Sequence, residues 1–272
     1  LITTVTPLMV LGTDSGFIRL VPGNKMEDQK RTFSAWLIFQ FVMALFFGTL
    51  IVLFSSQLAD LIFGTGGQEY KRFLLLAALW LFTSSVINIT RSWFKAQNSV
   101  NQYSASVLIQ AILNTAAAVV MLLRSEGPYE MVSYSLIADA ILAGGSLLFI
   151  LARFGMAPPD FGRLRGLIKF GLPLVPASFA TWGLNYIDRF FIVGMTSITA
   201  VGIYAVAYRI AYQVIPLLAK PWWVMFSNSV AELHNKGEKD TVQRLFNYTV
   251  GLTLALGVPA SAGLFLVGDR LL

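Results

Sequence analysis

Polar side chains recur inside one strongly apolar stretch, residues 170–195. Trp182, Asn185 and Arg189 follow one another at intervals of three and four residues, and Asp188 lies beside Arg189. This spacing places the first three on one face of a helix. A charged residue inside a membrane is costly and is expected to face protein or a wet cavity. The pattern predicts a hydrophilic cavity that binds a ligand; the alternative is that these side chains only pair with neighbouring helices.

A second polar stripe is expected on the next apolar segment, residues 201–223. Arg209 and Gln213 are four residues apart, so both could contribute to a binding site. The alternative is an ion pair of Arg209 with Asp188 or Asp139. Three tyrosines share the same spacing and could stack on sugar rings, or could simply pack against another helix. They are Tyr204, Tyr208 and Tyr212.

Three aspartates within apolar segments are candidates for coupling to protons or cations. They are Asp14, Asp139 and Asp188. Asp139 lies four residues after Ser135, and the alternative for it is a structural hydrogen bond to Ser135 or another neighbour. Arg19 follows Asp14 in the first apolar segment and is a candidate for substrate binding. The alternative for Arg19 is that its long side chain extends to the membrane surface.

The composition is that of a polytopic membrane protein. Hydrophobic residues make up 56% of the 272 residues, charged residues only 12%, and mean hydropathy is +0.68, whereas soluble domains carry about 25% charge. The absence of cysteine excludes disulfides and thiolate metal sites within this sequence. No nucleotide-binding, hydrolase or metal motif is present. We therefore expect no catalytic residue, no bound metal, no cofactor and no nucleic-acid partner, and we do not expect an enzyme.

Apolar segments of about 20 residues alternate with short polar loops, as transmembrane helices require. Spans are predicted at residues 1–20, 33–54, 73–94, 104–123, 131–152, 170–195, 201–223 and 245–267. The longer polar loops are Pro22–Arg31, Gln57–Arg72, Arg153–Lys169 and Ser227–Arg244. The loop Arg153–Lys169 combines two prolines with alternating basic and apolar residues. This combination predicts a turn followed by an amphipathic helix at the membrane interface.

Lysine and arginine are concentrated in one set of alternating loops, with 12 residues against 4 in the opposite set. The positive-inside rule places the first set, including Arg153–Lys169, in the cytoplasm. This bias predicts the orientation of a multi-pass membrane protein.

A short internal repeat indicates two lobes. Pro7 and Asn24 precede one span in the same arrangement as Pro216 and Asn235 precede another. The copies lie six spans apart and predict two parallel, pseudo-symmetric lobes. We assign residues 1–157 and 158–272 to them, with residues 153–170 as a cytoplasmic linker. We interpret both ends as cut, so that the sequence is a fragment lacking an N-terminal helix and C-terminal helices.

Three segments resemble flippases of polysaccharide biosynthesis in the multidrug/oligosaccharidyl-lipid/polysaccharide exporter superfamily. They are FGLPLVPASFATWGLNYIDRFFIVGM at 170–195, VGIYAVAYRIAYQVIPLL at 201–218 and TPLMVLGTDSGFIRLVPGNKMEDQKRTFS at 6–34. The resemblance implies an all-α transmembrane bundle of two lobes. It also implies transport of an undecaprenyl-pyrophosphate-linked oligosaccharide, as in O-antigen export, from the cytoplasmic to the outer face. In such flippases, cationic residues in the central cavity bind the pyrophosphate, and Arg189 and Arg209 match them best by position.

Two other functions remain open. One is a cation-coupled multidrug antiporter of the same superfamily, which predicts acidic rather than basic residues in the cavity. The other is an integral-membrane glycosyltransferase or polymerase, which would need a catalytic group on a sizeable external loop. For a flippase we expect a monomer in contact with membrane lipids, the lipid-linked oligosaccharide as substrate, and a polysaccharide polymerase or glycosyltransferases as partners.

Overall fold

The computed structural model describes residues 2–63, 70–196, 200–209, 212 and 238–271, and these residues contain helices and turns but no strand. The chain is an all-α bundle, as predicted. The helices are α1 (Ile2–Val10), α2 (Thr13–Leu20), α3 (Met26–Leu53), α4 (Ser55–Phe63), α5 (Lys71–Ala96), α6 (Val100–Leu123), α7 (Pro128–Phe154), α8 (Phe161–Gly171), α9 (Val175–Met195), α10 (described over 200–209) and α11 (Lys239–Leu271). A 3₁₀ turn, Leu172–Leu174, joins α8 to α9.

Six of the described helical segments are long and apolar enough to cross a membrane. They are Met26–Leu53, Lys71–Ala96, Val100–Leu123, Pro128–Phe154, Phe161–Met195 and Lys239–Gly263. The protein is therefore a multi-pass membrane protein. The predicted span 201–223 and the second copy of the internal repeat fall largely outside the described residues.

Several polar stretches predicted as loops are helical. Residues 26–31 form the first turns of α3, where Glu27 and Asp28 lie at the positive end of the helix dipole. Residues 55–63 form α4, so the predicted loop Gln57–Arg72 is shorter than expected. Residues 239–244 begin α11. In each case the charged residues lie at exposed or half-buried positions of a helix, which hydropathy alone does not distinguish from loops.

Residues 1–20, predicted to be the end of a span, do not form one continuous helix, because the segment breaks into α1 and α2. Leu11 and Gly12 both have positive φ angles, 49° and 65°. Thr13 stabilises the break: its Oγ1 donates to the carbonyl oxygen of Val10 at 2.5 Å and accepts from Trp36 Nε1 at 2.8 Å. A leucine with a positive φ angle is uncommon. The tertiary contacts of the residues that follow the break account for this conformation.

Two glycines meet backbone to backbone at this break. A Cβ atom built on Gly12 would lie 2.5 Å from the carbonyl oxygen of Gly171, and one built on Gly171 would lie 2.5 Å from the carbonyl carbon of Gly12. A Cβ atom built on Gly16, one turn further along α2, would lie 3.0 Å from the carbonyl oxygen of Leu167. Helix α2 therefore packs directly on the backbone of α8 and its C-terminal end.

An aromatic core joins these helices. Phe17, Phe33, Trp36 and Trp93 are buried together, with the Phe17 and Trp36 rings stacked at a centroid distance of 4.7 Å. Two leucines of α8, Leu164 and Leu167, complete this cluster, whereas Arg165 and Lys169 of the same helix are exposed. Helix α8 is thus amphipathic, and its apolar face packs on the core of the first unit. Its position at the membrane interface stays a prediction.

The chain divides into two compact units, Leu1–Gly183 and Leu184–Leu272. This division rests on contacts within each unit. The pseudo-symmetric lobes assigned from sequence, with a boundary at 157/158, stay a prediction.

The beginning of α8 is stabilised by one carboxylate. Asp160 is the N-cap and accepts from the backbone N–H groups of Gly162 and Arg163 at 2.9 and 3.2 Å. Arg163 also reaches Asp28 of α3, with its Nη2 at 2.9 Å from the carboxylate. The N–H of Arg163 is the chief cause that lowers the pKa of Asp160 below its usual 3.8; partial desolvation opposes this effect, and Gly162 and the Arg163 side chain reinforce it.

We expect the stabilising effect of Asp160 to depend on pH. Because its pKa is lower in the folded state, its contribution is complete above pH 3.8 and is lost as pH falls through the folded value. Thermal unfolding of the wild type and of Asp160→Ala in detergent, followed as a function of pH, measures the contribution of Asp160 to stability. The difference in Tm between them should be largest near neutral pH and shrink as the pH falls below 3.8 and through the lowered pKa of the folded state. A difference independent of pH would contradict the assignment.

Candidate functional site

A polar cavity of about 520 Å³ lies between the second half of α9 and helix α10, within the second unit. Three of the residues predicted from sequence line it: Asn185, Arg189 and Arg209. Asn185 and Arg189 are one turn apart on α9, and Arg209 belongs to a face of α10 that also carries tyrosines. The volume is in the range of small-molecule sites, about 300–1,000 Å³.

The guanidinium group of Arg189 is held between aromatic rings. Its central carbon lies 5.0 Å from the ring centre of Tyr186 and 5.6 Å from that of Tyr208. Its Nε is buried and has no hydrogen-bond partner among the described residues. Cation–π contacts stabilise a guanidinium by about 0.5–2 kcal/mol but leave its N–H donors unused. Arg189 is therefore positioned by ring faces and retains hydrogen-bonding capacity for an anion.

Asp188 does not neutralise Arg189. Its Oδ2 accepts a short hydrogen bond from the hydroxyl of Tyr204, and its Oδ1 accepts from the backbone N–H of Arg189 at 2.9 Å. Within the second unit, no carboxylate of the described residues is at salt-bridge distance from Arg189 or Arg209. The predicted alternative of an Arg209–Asp188 ion pair is thus not seen in this part of the chain. Asp188 as an ion-coupling residue stays a prediction.

The tyrosines of α10 form a stack along the cavity. The ring centres of Tyr204 and Tyr208 are 5.8 Å apart, and those of Tyr208 and Tyr212 are 5.7 Å apart and nearly parallel, at 13°. Tyr208 and Tyr212 line the cavity, and Tyr212 is exposed. The stack stabilises this face of α10 and leaves one ring available to a ligand.

Several other predicted residues are not among the described residues that line the cavity, or lie outside the described part of the chain. Trp182 is on α9 but belongs to the first unit, before the division at Gly183. Gln213 lies outside the described residues. Arg19 is exposed in the last turn of α2, also in the first unit, and Asp14 lies in the first turn of the same helix. Their roles in binding and coupling stay predictions.

Asp139 is the centre of a buried hydrogen-bond network in the first unit. It is 3% exposed, and its carboxylate accepts from Trp80 Nε1 at 2.8 Å, Gln110 Nε2 at 2.8 Å and Asn114 Nδ2 at 3.0 Å. All three partners are N–H donors, so they suit an ionised carboxylate, which only accepts. The alternative expected for Asp139 from the sequence was a structural hydrogen bond, and its carboxylate does accept such bonds. The partners lie on α5 and α6 and do not include Ser135.

Arg91 extends the network. Its Nη2 donates to Gln110 Oε1 at 2.8 Å, so that Gln110 joins a guanidinium to the Asp139 carboxylate. Its Nε also donates to Ser106 Oγ at 3.1 Å. In the sequence, Ser106, Gln110 and Asn114 are spaced four residues apart, so that they share one face of a helix. This spacing is the only feature from which the network could have been predicted. The sequence could not predict Trp80 as a member of the network, because a tryptophan in an apolar span cannot be distinguished from any other core residue.

We expect Asp139→Asn to destabilise the first unit. The amide replaces one acceptor oxygen by an NH₂ group, which leaves at least one of the three N–H donors facing another donor. The expected loss in the free energy of unfolding is about 1 kcal/mol. A hydrogen bond inside a membrane protein contributes less than the soluble average of about 1 kcal/mol, but the donor left unpaired adds to the loss. A fall in Tm of about 2–4 °C in detergent should follow.

Ser135→Ala, one turn earlier on α7, is the matched control. Ser135 is buried near Asp139 without bonding to it, so its variant should unfold close to the wild-type temperature. Equal losses in both variants would indicate that general packing, and not the carboxylate, stabilises this region.

The described residues contain no cluster of three or more His, Asp or Glu side chains that could hold a metal ion. What they do contain is a multi-pass helical bundle, a cationic aromatic cavity and a buried carboxylate network. These features define a polytopic membrane protein with a site suited to an anionic ligand.

A family model described as "Polysaccharide biosynthesis protein" matches residues 1–272. The chain therefore belongs to this polysaccharide biosynthesis protein family, which supports a role in making polysaccharide at a membrane. No curated protein and no solved structure shows a significant match.

Proposed function

We propose that the protein is a flippase that moves a lipid-linked oligosaccharide across the membrane for polysaccharide biosynthesis. The substrate class is an oligosaccharide joined through pyrophosphate to a polyprenyl lipid such as undecaprenol. Transport runs from the cytoplasmic to the outer face of a bacterial or archaeal cytoplasmic membrane. Membership in the polysaccharide biosynthesis family and the multi-pass architecture support this proposal.

The single observation that carries the proposal is the state of Arg189. Its guanidinium lies between two tyrosine rings, and its Nε is buried without a hydrogen-bond partner among the described residues. Arg209 lines the same cavity. A pyrophosphate group offers several anionic oxygens, and guanidinium groups bind such oxygens in bidentate fashion. Hydrocarbon cannot solvate these charges, so a site with guanidinium donors takes the place of water around the pyrophosphate while the lipid crosses the membrane.

The sugar would lie next to the pyrophosphate, along the tyrosines. Tyrosine combines an apolar ring face with a polar hydroxyl, and Asn185 adds an amide on the opposite helix. The arrangement supports recognition of a polar, ring-shaped group without specifying one sugar.

The described lining of the cavity argues against a cation-coupled drug antiporter. It includes two arginines and no carboxylate. A glycosyltransferase or polymerase would require an external catalytic loop, and part of the longest candidate loop is helix α4. We therefore propose transport without catalysis by a monomer, supplied by glycosyltransferases and followed by a polymerase. Coupling through Asp14, Asp139 or Asp188 belongs to the same proposal.

Reconstitution of the protein in liposomes tests this function. A polyprenyl-pyrophosphate oligosaccharide is incorporated into the vesicles, and a membrane-impermeant sugar-binding protein measures how much reaches the other leaflet with time. We expect rapid crossing of this lipid, and no acceleration for the same oligosaccharide on a polyprenol without pyrophosphate. Crossing no faster than in protein-free vesicles would reject the proposal.

A further inference from the structure

An apolar cleft of about 320 Å³ lies between α6 and α7 in the first unit, apart from the cavity of the second unit. Ile109 and Leu113 of α6 form one wall, and Ile141 and Phe149 of α7 form the other. Gly145 lies between them on α7, where a Cβ atom would meet nothing within 4 Å. The missing side chain leaves room for a ligand against the α7 backbone.

The cleft has the length of one membrane leaflet. Its lining on α6 runs from Gln102 to Leu113, which at 1.5 Å per residue spans about 16 Å. Half of a hydrocarbon core is about 15 Å. Helix α6 is strongly exposed along this length, with Leu108 61% and Ile112 66% accessible, so the cleft opens on a side that faces lipid. An extended acyl chain fits such a cleft in both length and polarity.

Two cations lie at one end of the cleft. Phe94 and Phe149 form the last ring pair there, with centroids 6.2 Å apart. Lys95 follows Phe94 directly, and Arg153 lies one turn beyond Phe149 on the same face of α7. Neither forms a salt bridge with any described carboxylate, and the Lys95 ammonium lies 4.9 Å above the ring of Tyr103.

Acidic groups do not offset these cations within the two helices of the cleft. Helix α6 contains no Asp or Glu, and α7 contains only Glu130, near its opposite end, and Asp139, whose carboxylate accepts three hydrogen bonds from α5 and α6. The cleft is thus apolar over the depth of one leaflet and basic where that leaflet meets water. This combination is complementary to an anionic lipid.

We propose that the α6–α7 cleft is a binding site for an anionic phospholipid of the cytoplasmic leaflet. One acyl chain occupies the cleft beside Gly145, and the phosphate lies between Lys95 and Arg153. The polyprenyl substrate is not its occupant. Because the site is built from the first unit alone, the proposal does not depend on the transport function proposed above.

Native mass spectrometry of the purified protein tests the apolar part of the site. The protein is equilibrated with phosphatidylglycerol or phosphatidylcholine, and the copies of each that survive detergent release are counted. Gly145→Leu fills the cleft and should lower retained phosphatidylglycerol by about tenfold, since each displaced methylene changes affinity by about fourfold. Gly144→Leu, on the adjacent exposed position outside the lining, is the matched control and should retain it.

The double variant Lys95→Ala/Arg153→Ala tests the charged part. Each cation near a membrane surface changes affinity for an anionic lipid by about fivefold, so the preference of the double variant for phosphatidylglycerol over phosphatidylcholine should fall by about 25-fold. Arg72→Ala, exposed at the opposite end of α5, should leave the preference unchanged. Equal retention of the two lipids by the wild type, equal effects of Gly144→Leu and Gly145→Leu, or displacement of phosphatidylglycerol by a polyprenyl phosphate would overturn the proposal.

Discussion

Arg189→Ala should reduce transport of the pyrophosphate-linked substrate by about 10- to 100-fold. Hydrogen bonds to charged groups contribute about 1.5–3 kcal/mol, and the buried Nε of Arg189 has no hydrogen-bond partner among the described residues. Arg189→Lys should recover only part of the activity, because an ammonium cannot form the bidentate contact or stack in the same way between Tyr186 and Tyr208. The initial rate of crossing in reconstituted vesicles measures both effects.

Arg165→Ala is the control for loss of a positive charge. Arg165 is exposed on α8 and is not among the residues that line the cavity, so its variant should transport at the wild-type rate. Arg209→Ala should have a smaller effect than Arg189→Ala, because Arg209 is exposed and its charge is screened by water. Unchanged transport by an Arg189→Ala/Arg209→Ala protein present at normal levels would remove the cavity from the mechanism.

Gly171→Ala should prevent stable folding of the first unit. The added methyl group would lie 2.5 Å from the carbonyl carbon and 2.6 Å from the carbonyl oxygen of Gly12, both backbone atoms that cannot rotate away. Relief requires separation of α8 from the α1–α2 break, which would open the core around Phe17 and Leu167. Losses above about 4 kcal/mol are exceptional for single substitutions, and a backbone collision of this kind belongs to that group.

Gly166→Ala on the same helix is the matched comparison. A Cβ atom at Gly166 meets nothing within 4 Å, and alanine favours helix by up to about 1 kcal/mol over glycine. Fluorescence-detected size-exclusion chromatography with a heating series should therefore show a monodisperse, equally or more stable Gly166→Ala protein and an aggregated or absent Gly171→Ala protein. A Gly171→Ala protein with normal Tm would show that the glycine contact is not required.

The sequence was most informative where a local pattern determines the outcome. Apolar segments of membrane-spanning length predicted the long helices, and helical spacing predicted that Asn185 and Arg189 share a face. The structure adds that Arg209 lines the same cavity. It also shows what spacing cannot: the ring contacts of Arg189 with Tyr186 and Tyr208, which depend on how α9 and α10 approach each other.

Features set by distant parts of the chain could not be predicted. The break at Leu11–Gly12 depends on Gly171, and nothing near residue 12 indicates that partner. Asp139 was predicted as a candidate for ion coupling or for a structural hydrogen bond, but its donors Trp80, Gln110 and Asn114 lie on two other helices. Helix α4 was missed because its polar and apolar residues match a loop as well as a short amphipathic helix.

The pairing of Gly12 with Gly171 also constrains the order of events during biosynthesis. Helices α1 and α2 are translated before α8, so the surface on which they pack, from Leu167 to Gly171, is made only after α3–α7. Until α8 is in place, the core cluster that contains Phe17 lacks Leu164 and Leu167. The packing of α2 is therefore completed only after a helix that lies about 150 residues further along the chain has been synthesised.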